Sequence, residues 1–490
     1  MKNRVLNIFL VLLIAAGFNA CSDDLLDPVP ETNISDLSAF DTTERIEAQV
    51  RGIYSAFKSG QYLGGRYQVY NSIRGDHFIN HRSNSATGLM VWNNNVAASS
   101  QEVLNVWAVI YTAINRVNMF LEGMELNEEM ILGENLLTPE QYDQYVGEAL
   151  ALRAIAYHHL IQFYAHAYNR DPGNWGAILR VTAQRSSDDN HQARATLAET
   201  YEQILEDLDM AESLMKDVDG PNSNATVTQL NKSSVIAFKT RVYLHMNDWG
   251  NVITEANKIV SASAPFQAPS GIQYALNPVF EEGFRNYTSP EAIFSIPMTP
   301  TEQPGTQNGL AHYFSPNPIG NNEYSLNQDS KVWSSDAFPH TDARRQLTDT
   351  VPVFGEDQIF IMKYTENPHL DWAPVIRYAE VILNLAEAEA MNAGNVNARA
   401  LELLNAVFLR SNPDEDPLNI NDLGAFIDRL LLERSMEFMG EGLDNMDIQR
   451  TGGTYRAKGE AATVDPNNPN YIWPIPQSEQ ATNNLVQPNH

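Results

Sequence analysis

Three carboxylates at Glu433, Glu437 and Glu441, three histidines at His158, His159 and His166, and one cysteine at Cys21 are the groups in this 490-residue sequence whose types and spacing could do chemistry. The glutamates recur every four residues, so a helix would carry them on one face. Glycoside hydrolysis needs two carboxyl groups flanking a sugar bond, about 5 to 10 Å apart. Neighbours on one helix point the same way, so with Arg429 and Arg434 nearby the spacing predicts ion pairing or helix packing. A zinc pair on a helix takes i, i+4 spacing, whereas His159 and His166 stand seven apart, about 10 Å along a helix axis. The histidines therefore read as partly buried helix residues, and no metal is expected there. "DPNNPN" at 465–470 suits calcium or a Pro-Asn turn equally well. There is no G-x-S-x-G, no phosphate-binding loop and no dinucleotide fingerprint, so the expectation is no catalytic residue and no cofactor.

Cys21 follows a short basic start (Lys2, Arg4), an apolar run at 8–18 and the small residue Ala20. That order is a secretory signal, and the run is too short to span a bilayer, which takes ~20 residues. A lone cysteine cannot close an internal disulfide. Its position resembles the bacterial lipobox, in which the thiol is acylated and becomes the new N-terminus. The following "SDDLLDP", with Asp23 and Asp24, resembles the acidic signal that sends Bacteroidota lipoproteins to the outer face of the outer membrane. Sixty-one acidic against 32 basic residues give a net charge of −29. Such a chain repels phosphate backbones and anionic lipid, which excludes nucleic acid as a partner and leaves an acyl chain as the membrane attachment.

These groups must be held by helices. Apolar residues at three- and four-residue spacing predict helices over about 38–57, 101–124, 145–168, 197–216 and 421–440. Close pairs are expected at 233–246 with 251–262, joined by "NDWG", and at 374–392 with 396–410, joined by "NAGNV". The unit 233–262, with Ala237, Tyr243, Trp249 and Ala256, resembles a tetratricopeptide repeat. Residues 62–96 and 263–373 lack helical period and carry many aromatics, which argues for ordered, functional loops. The Trp473-Pro474-Ile475-Pro476 run cannot be helix interior and is expected to pack as an extended plug.

Three segments occur in a telling order: "PVIRYAEVILNLAEAEAMNAG" (374–394), "LLERSMEFMGEGLDNMDIQR" (431–450) and "NYIWPIPQSEQATNN" (470–484). With "INRVNMFLEGM" (114–124), "GEALALRAIAYHHLIQFY" (147–164) and the Cys21 start, the chain resembles the SusD/RagB family of Bacteroidota surface lipoproteins over nearly its whole mature length. Asp444 departs from the pattern, since the family often has a basic residue there. The resemblance implies a mainly α fold, a tetratricopeptide-like helical scaffold with long loop-rich ligand-binding insertions. It divides the chain into a signal peptide (1–20), a lipidated tether (21–37), an N-terminal helical part (38–262), a loop-rich insertion (263–373) and C-terminal signature helices with an extended tail (374–490).

The same resemblance implies a non-enzymatic protein that binds oligosaccharide at the cell surface, anchored in the outer membrane through Cys21, and delivers it to a SusC-like TonB-dependent barrel for carbohydrate uptake. A peptide ligand, as in RagB-like members, and a surface glycan hydrolase are the alternatives. Sugars offer C–H faces that stack on rings and hydroxyls that need planar polar partners, so a glycan site should join exposed aromatics to Asn, Asp or Arg. Segments 74–95 and 311–333 offer that combination. The expected ligand contacts are Trp92, Trp333 and Tyr313, with Asp76 and Arg82 as polar partners, while Trp107, Trp249 and Trp473 are expected in the core.

Overall fold

Side-chain caps decide where the helices start. Thr138, Thr196 and Asn231 each accept a hydrogen bond from the backbone N–H three residues on, with a reciprocal bond back to the cap, and Pro139 occupies the first helical position, where it loses no bond. The computed structural model describes residues 38–186 and 190–489; Cys21 and the 21–37 tether lie outside them. The main helices are α1 (Thr43–Phe57), α2 (Arg66–Ile73), α3 (Gln101–Leu126), α4 (Pro139–Tyr164), α5 (Leu197–Leu214), α6 (Lys232–Met246), α7 (Trp249–Ile259), α8 (Tyr378–Ala393), α9 (Ala398–Ser411), α10 (Leu423–Glu437) and α11 (Asp444–Arg450).

The two expected helix pairs form by the chemistry of their turns. Asn247 ends α6 in the left-handed region, and Asp248 then caps α7 by accepting from the Asn251 N–H. Gly394 ends α8 in the same way, and Asn397 caps α9. In the stack, α3 packs on α4, α4 on α5, α6 on α7, α7 on α8 and α8 on α9. The helical scaffold expected from the sequence is thereby present. Helix α4 is more central than one amphipathic stripe implies: every residue from Ala151 to Tyr164 is buried. Alternating alanines (Ala149, Ala151, Ala154, Ala156) let neighbours approach it from several sides.

The loop-rich region is ordered by three two-stranded antiparallel sheets: β1 (Phe78–Asn80) with β3 (Tyr324–Leu326), β2 (Ala292–Ile296) with β6 (Ala373–Arg377), and the hairpin β4 (Thr348–Val353) with β5 (Glu356–Ile361). Strand β6 occupies residues that the helical pattern at 374–392 suggested would be helix. Pro374 explains the difference, because it disfavours helix in its predecessor and is tolerated in an edge strand, opposite Ser295. The extended plug is present as well. Trp473 is 1% exposed, stacks on Phe163 at 4.2 Å and donates its backbone N–H to the Phe163 carbonyl.

Candidate functional site

Segments 74–95 and 311–333 meet through the β1–β3 ladder, in the register Phe78 to Leu326, Ile79 to Ser325 and Asn80 to Tyr324. Around it the two segments are laced by hydrogen bonds. Tyr324 donates its hydroxyl to the Thr87 carbonyl at 3.0 Å, Arg82 donates Nε–H to the Asn321 carbonyl at 2.8 Å, and Asn327 donates its amide to the Asp76 carbonyl at 2.8 Å. Strand β5 packs alongside β3, where Ser325 donates its hydroxyl to Gln358 Oε1 at 3.1 Å and His81 Nε2 lies 2.6 Å from the same hydroxyl oxygen. Together they wall an open cleft of about 470 Å³, lined among others by Asp76, His81, Asn327, Glu356, Gln358 and Arg456. Arg456 reaches it from the loop after α11 and pairs with Asp76 at 3.1 Å.

The expected stacking rings are turned inward. Trp92 is 6% exposed and donates its indole N–H to the Phe78 carbonyl at 2.8 Å, with the Lys458 ammonium 5.7 Å from its ring centroid. Trp333 is covered by the Arg345 guanidinium at 4.1 Å and by the edge of Phe338. Tyr313 is fully buried and donates its hydroxyl to the Gln307 carbonyl at 2.7 Å. A ring whose faces are covered cannot stack on a sugar in this conformation, so these three serve as the local core of a region without long helices. Asp76 does line the cleft. Arg82 is half-buried, donates its Nε–H to the Asn321 carbonyl and stands outside the cleft lining.

Buried basic groups lie beneath the cleft. Lys458 donates from Nζ to the carbonyls of Ile73, Arg74 and Gly75, at 2.5 Å and 2.8 Å for the first two, and so satisfies carbonyls at the end of α2. Burial pushes its ammonium down to about 7, with Arg74 adding to the fall and Asp444 opposing it. Asp444 lies 2.9 Å from His77 Nε2. Burial disfavours a charge on His77, but the Asp444 and Asp76 carboxylates outweigh it and raise the imidazole above its ordinary value. Sequence reasoning missed Glu356, Gln358 and Arg456. The first two carried no clear signal, because Phe354-Gly355 is not among the dipeptides that mark a two-residue hairpin and the runs on either side do not alternate.

The glutamates are ion-paired. Glu433 binds Arg429 at 2.6 Å and also Arg344. Glu437 lies 2.6 Å from Arg410, 3.1 Å from Arg377 and 3.4 Å from Arg344. Glu441 lies 2.6 Å from Lys363 and 2.7 Å from Arg377. Only the first two share the helix, since α10 ends at Glu437 and Glu441 reaches the layer from the following turn. Arg434 pairs instead with Asp447 at 2.8 Å. The histidines also go separate ways. His158 lies 3.1 Å from His245, His159 lies 2.9 Å from the Tyr62 hydroxyl, and burial holds both well below their ordinary pKa. Asp465 accepts from the Asn467 N–H at 2.8 Å, the turn chemistry that "DPNNPN" allowed.

A second cavity, about 490 Å³ between α1 and α3, is lined largely by apolar side chains such as Phe40, Ile53, Met119 and Phe120. The cleft at β1–β3 is the better candidate, because it gathers amide, carboxylate, imidazole and guanidinium groups that can bind polar ligands.

A family model described as starch-binding, associating with outer membrane, matches residues 24–244, and the SusD family model matches residues 362–490. A SusD superfamily protein from Bacteroides fragilis has a solved structure with TM-score 0.80 and 32% identity, covering 92% of this chain and 100% of that one. A SusD-like protein of Formosa agariphila is 26% identical over 95% of both chains. The structure of a laminarin-binding SusD-like protein shares the fold with TM-score 0.69 at 20% identity, covering 92% of this chain and 99% of that one.

Proposed function

Because the chain belongs to the SusD/RagB family, we propose that it captures oligosaccharide at the cell surface in the β1–β3 cleft and passes it to a TonB-dependent barrel in the outer membrane. The observation that carries this reading is the meeting of two distant loop segments in an open cleft walled by Asn327, Gln358, Glu356 and Asp76. Side-chain amides and carboxylates are planar and offer paired donors and acceptors, which suits the adjacent hydroxyls of a sugar ring. An open cleft admits a chain longer than its own span. A protein that hands its ligand on must also bind it reversibly, and hydrogen bonds exchanged with water give modest net affinity. Among the groups lining the cleft, Asp76 is ion-paired with Arg456 at 3.1 Å and accepts a hydrogen bond from the Lys331 N–H at 3.1 Å. A carboxylate so engaged serves as a fixed acceptor, in keeping with a binder that leaves its glycan intact. Acylation at Cys21 would anchor the protein beside the barrel.

The test is calorimetry of the mature protein with neutral glucohexaoses of α-1,4, β-1,3 and β-1,4 linkage, followed by chromatography of the incubated sugar. At least one should bind, remain uncleaved, and bind about tenfold more weakly after Asn327→Ala with Gln358→Ala. Failure of the whole panel to bind, binding indifferent to both substitutions, or release of shorter sugars would overturn the proposal.

A further inference from the structure

The hairpin that supplies Glu356 and Gln358 to the cleft turns on Phe354 and Gly355, whose φ values are 51° and 89°. Positive φ at both central residues is the two-residue connection whose twist matches that of its strands, and it favours asparagine followed by glycine. Gly355 is ordinary there. Phe354 is not, because a side chain with a Cβ meets backbone crowding in the left-handed region, which only glycine, and to a lesser degree asparagine and aspartate, avoid. Nothing in the fold compensates. Phe354 is 78% exposed, more than any other large hydrophobic side chain among the described residues. The register closes with Val353 opposite Glu356, so the turn stands directly beyond the first cleft-lining residue of β5. Glu356 and Gln358, two apart on the strand, both line the cleft, as strand alternation requires.

The cleft therefore has hydrogen-bonding walls and buried aromatics beneath, and an exposed ring, Phe354, sits on a strained turn two residues before the cleft-lining Glu356. Backbone strain of this kind persists where the surroundings or the function hold it, and it clusters at ligand clamps. We propose that Phe354 is the stacking residue of this site: its ring covers the C–H face of a sugar whose hydroxyls are held by the amides and carboxylates below. This rests on the cleft being the carbohydrate site. It also gives the hairpin a role in selection, since an aromatic face takes a pyranose whose C–H groups lie on one side and gains little from a charged or branched unit.

The strain makes the test discriminating. Phe354→Asn places at the turn a residue that suits it, so the melting temperature should rise while affinity for the glucohexaose that binds wild type falls about tenfold, the size typical of losing one stacking ring. Phe354→Tyr keeps a ring and should hold affinity within about twofold, with no gain in melting temperature. Unchanged affinity in Phe354→Asn, or an equal loss in Phe354→Tyr, overturns the inference. If Asn327→Ala with Gln358→Ala weakens binding and Phe354→Asn does not, this inference fails alone. If no glucohexaose binds wild type, or the double substitution leaves binding unchanged, the carbohydrate reading of the cleft fails, and this inference with it.

Discussion

Replacing Glu437 by glutamine should destabilise the fold while leaving the ligand cleft alone. The buried layer around it holds five cations (Arg344, Lys363, Arg377, Arg410, Arg429) and five anions (Glu291, Asp342, Glu433, Glu437, Glu441), all joined by ion pairs. The substitution leaves one positive charge uncompensated where almost no water reaches. Removing one partner of a buried pair costs about 3 to 5 kcal/mol. With an unfolding entropy of about 2.1 cal/mol/K per residue, a chain of 490 residues converts that cost into a fall of about 3 to 5 °C in melting temperature. Burial would raise the Glu437 carboxyl, but the guanidiniums of Arg410, Arg377 and Arg344 outweigh it and hold the group well below the usual carboxylate range. A depressed folded pKa contributes stability that is full above the unfolded value of 4.5 and is lost as pH falls through the folded one. The gap between wild type and Glu437→Gln in scanning calorimetry should thus be constant from pH 8 to about pH 5 and narrow only below that. Equal melting temperatures at pH 7, or a gap that closes as pH rises, would refute the reasoning. Affinity for a bound glucohexaose at 25 °C should be unchanged, because Glu437 lies outside the cleft lining.

Three further outcomes follow from the same structure. Trp473→Ala removes a ring stacked on Phe163 at 4.2 Å and packed edge-on to Tyr164; it should cost about 3 to 5 kcal/mol, read as a fall in melting temperature similar to that of Glu437→Gln. Glu148 is pushed up to about 7 by burial, against the hydrogen bonds donated by Tyr54 and Gln144. Between pH 4.5 and about 7 the folded state keeps a proton that the unfolded state gives up, so stability falls as pH rises; Glu148→Gln should flatten that slope, and calorimetry at pH 5 and pH 7 measures the difference. Cys21→Ala should move the protein from the membrane to the soluble fraction without changing glycan affinity, and mass spectrometry of membrane-derived protein should find acyl chains on Cys21.

The helical scaffold was legible because its signals are local. Apolar period located the helices, and the breakers around Asn247 and Gly394 located the turns of the two pairs, but α4 starts at Pro139 behind the Thr138 cap, six residues before the expected 145. The two segments that build the cleft were also legible as aromatic, amide-rich loops. Their side-chain orientation was not, because it depends on partners far along the chain. Trp92 is fixed by the Phe78 carbonyl and by Lys458 of a loop beyond α11, and Trp333 by Arg345. Composition predicts that an aromatic loop is ordered. It does not say whether the rings order the loop or face a ligand, and here Trp92, Trp333 and Tyr313 do the former. Phe354 went unnoticed in the sequence for the converse reason: its significance lies in a backbone angle that glycine would ordinarily supply.

The most direct measurement is a crystal structure of the mature protein with the glucohexaose that binds it in calorimetry. Sugar density lying across Asp76, Asn327 and Gln358, with one ring against Phe354, is the predicted result. An ordered sugar elsewhere, with the β1–β3 cleft empty, contradicts the account.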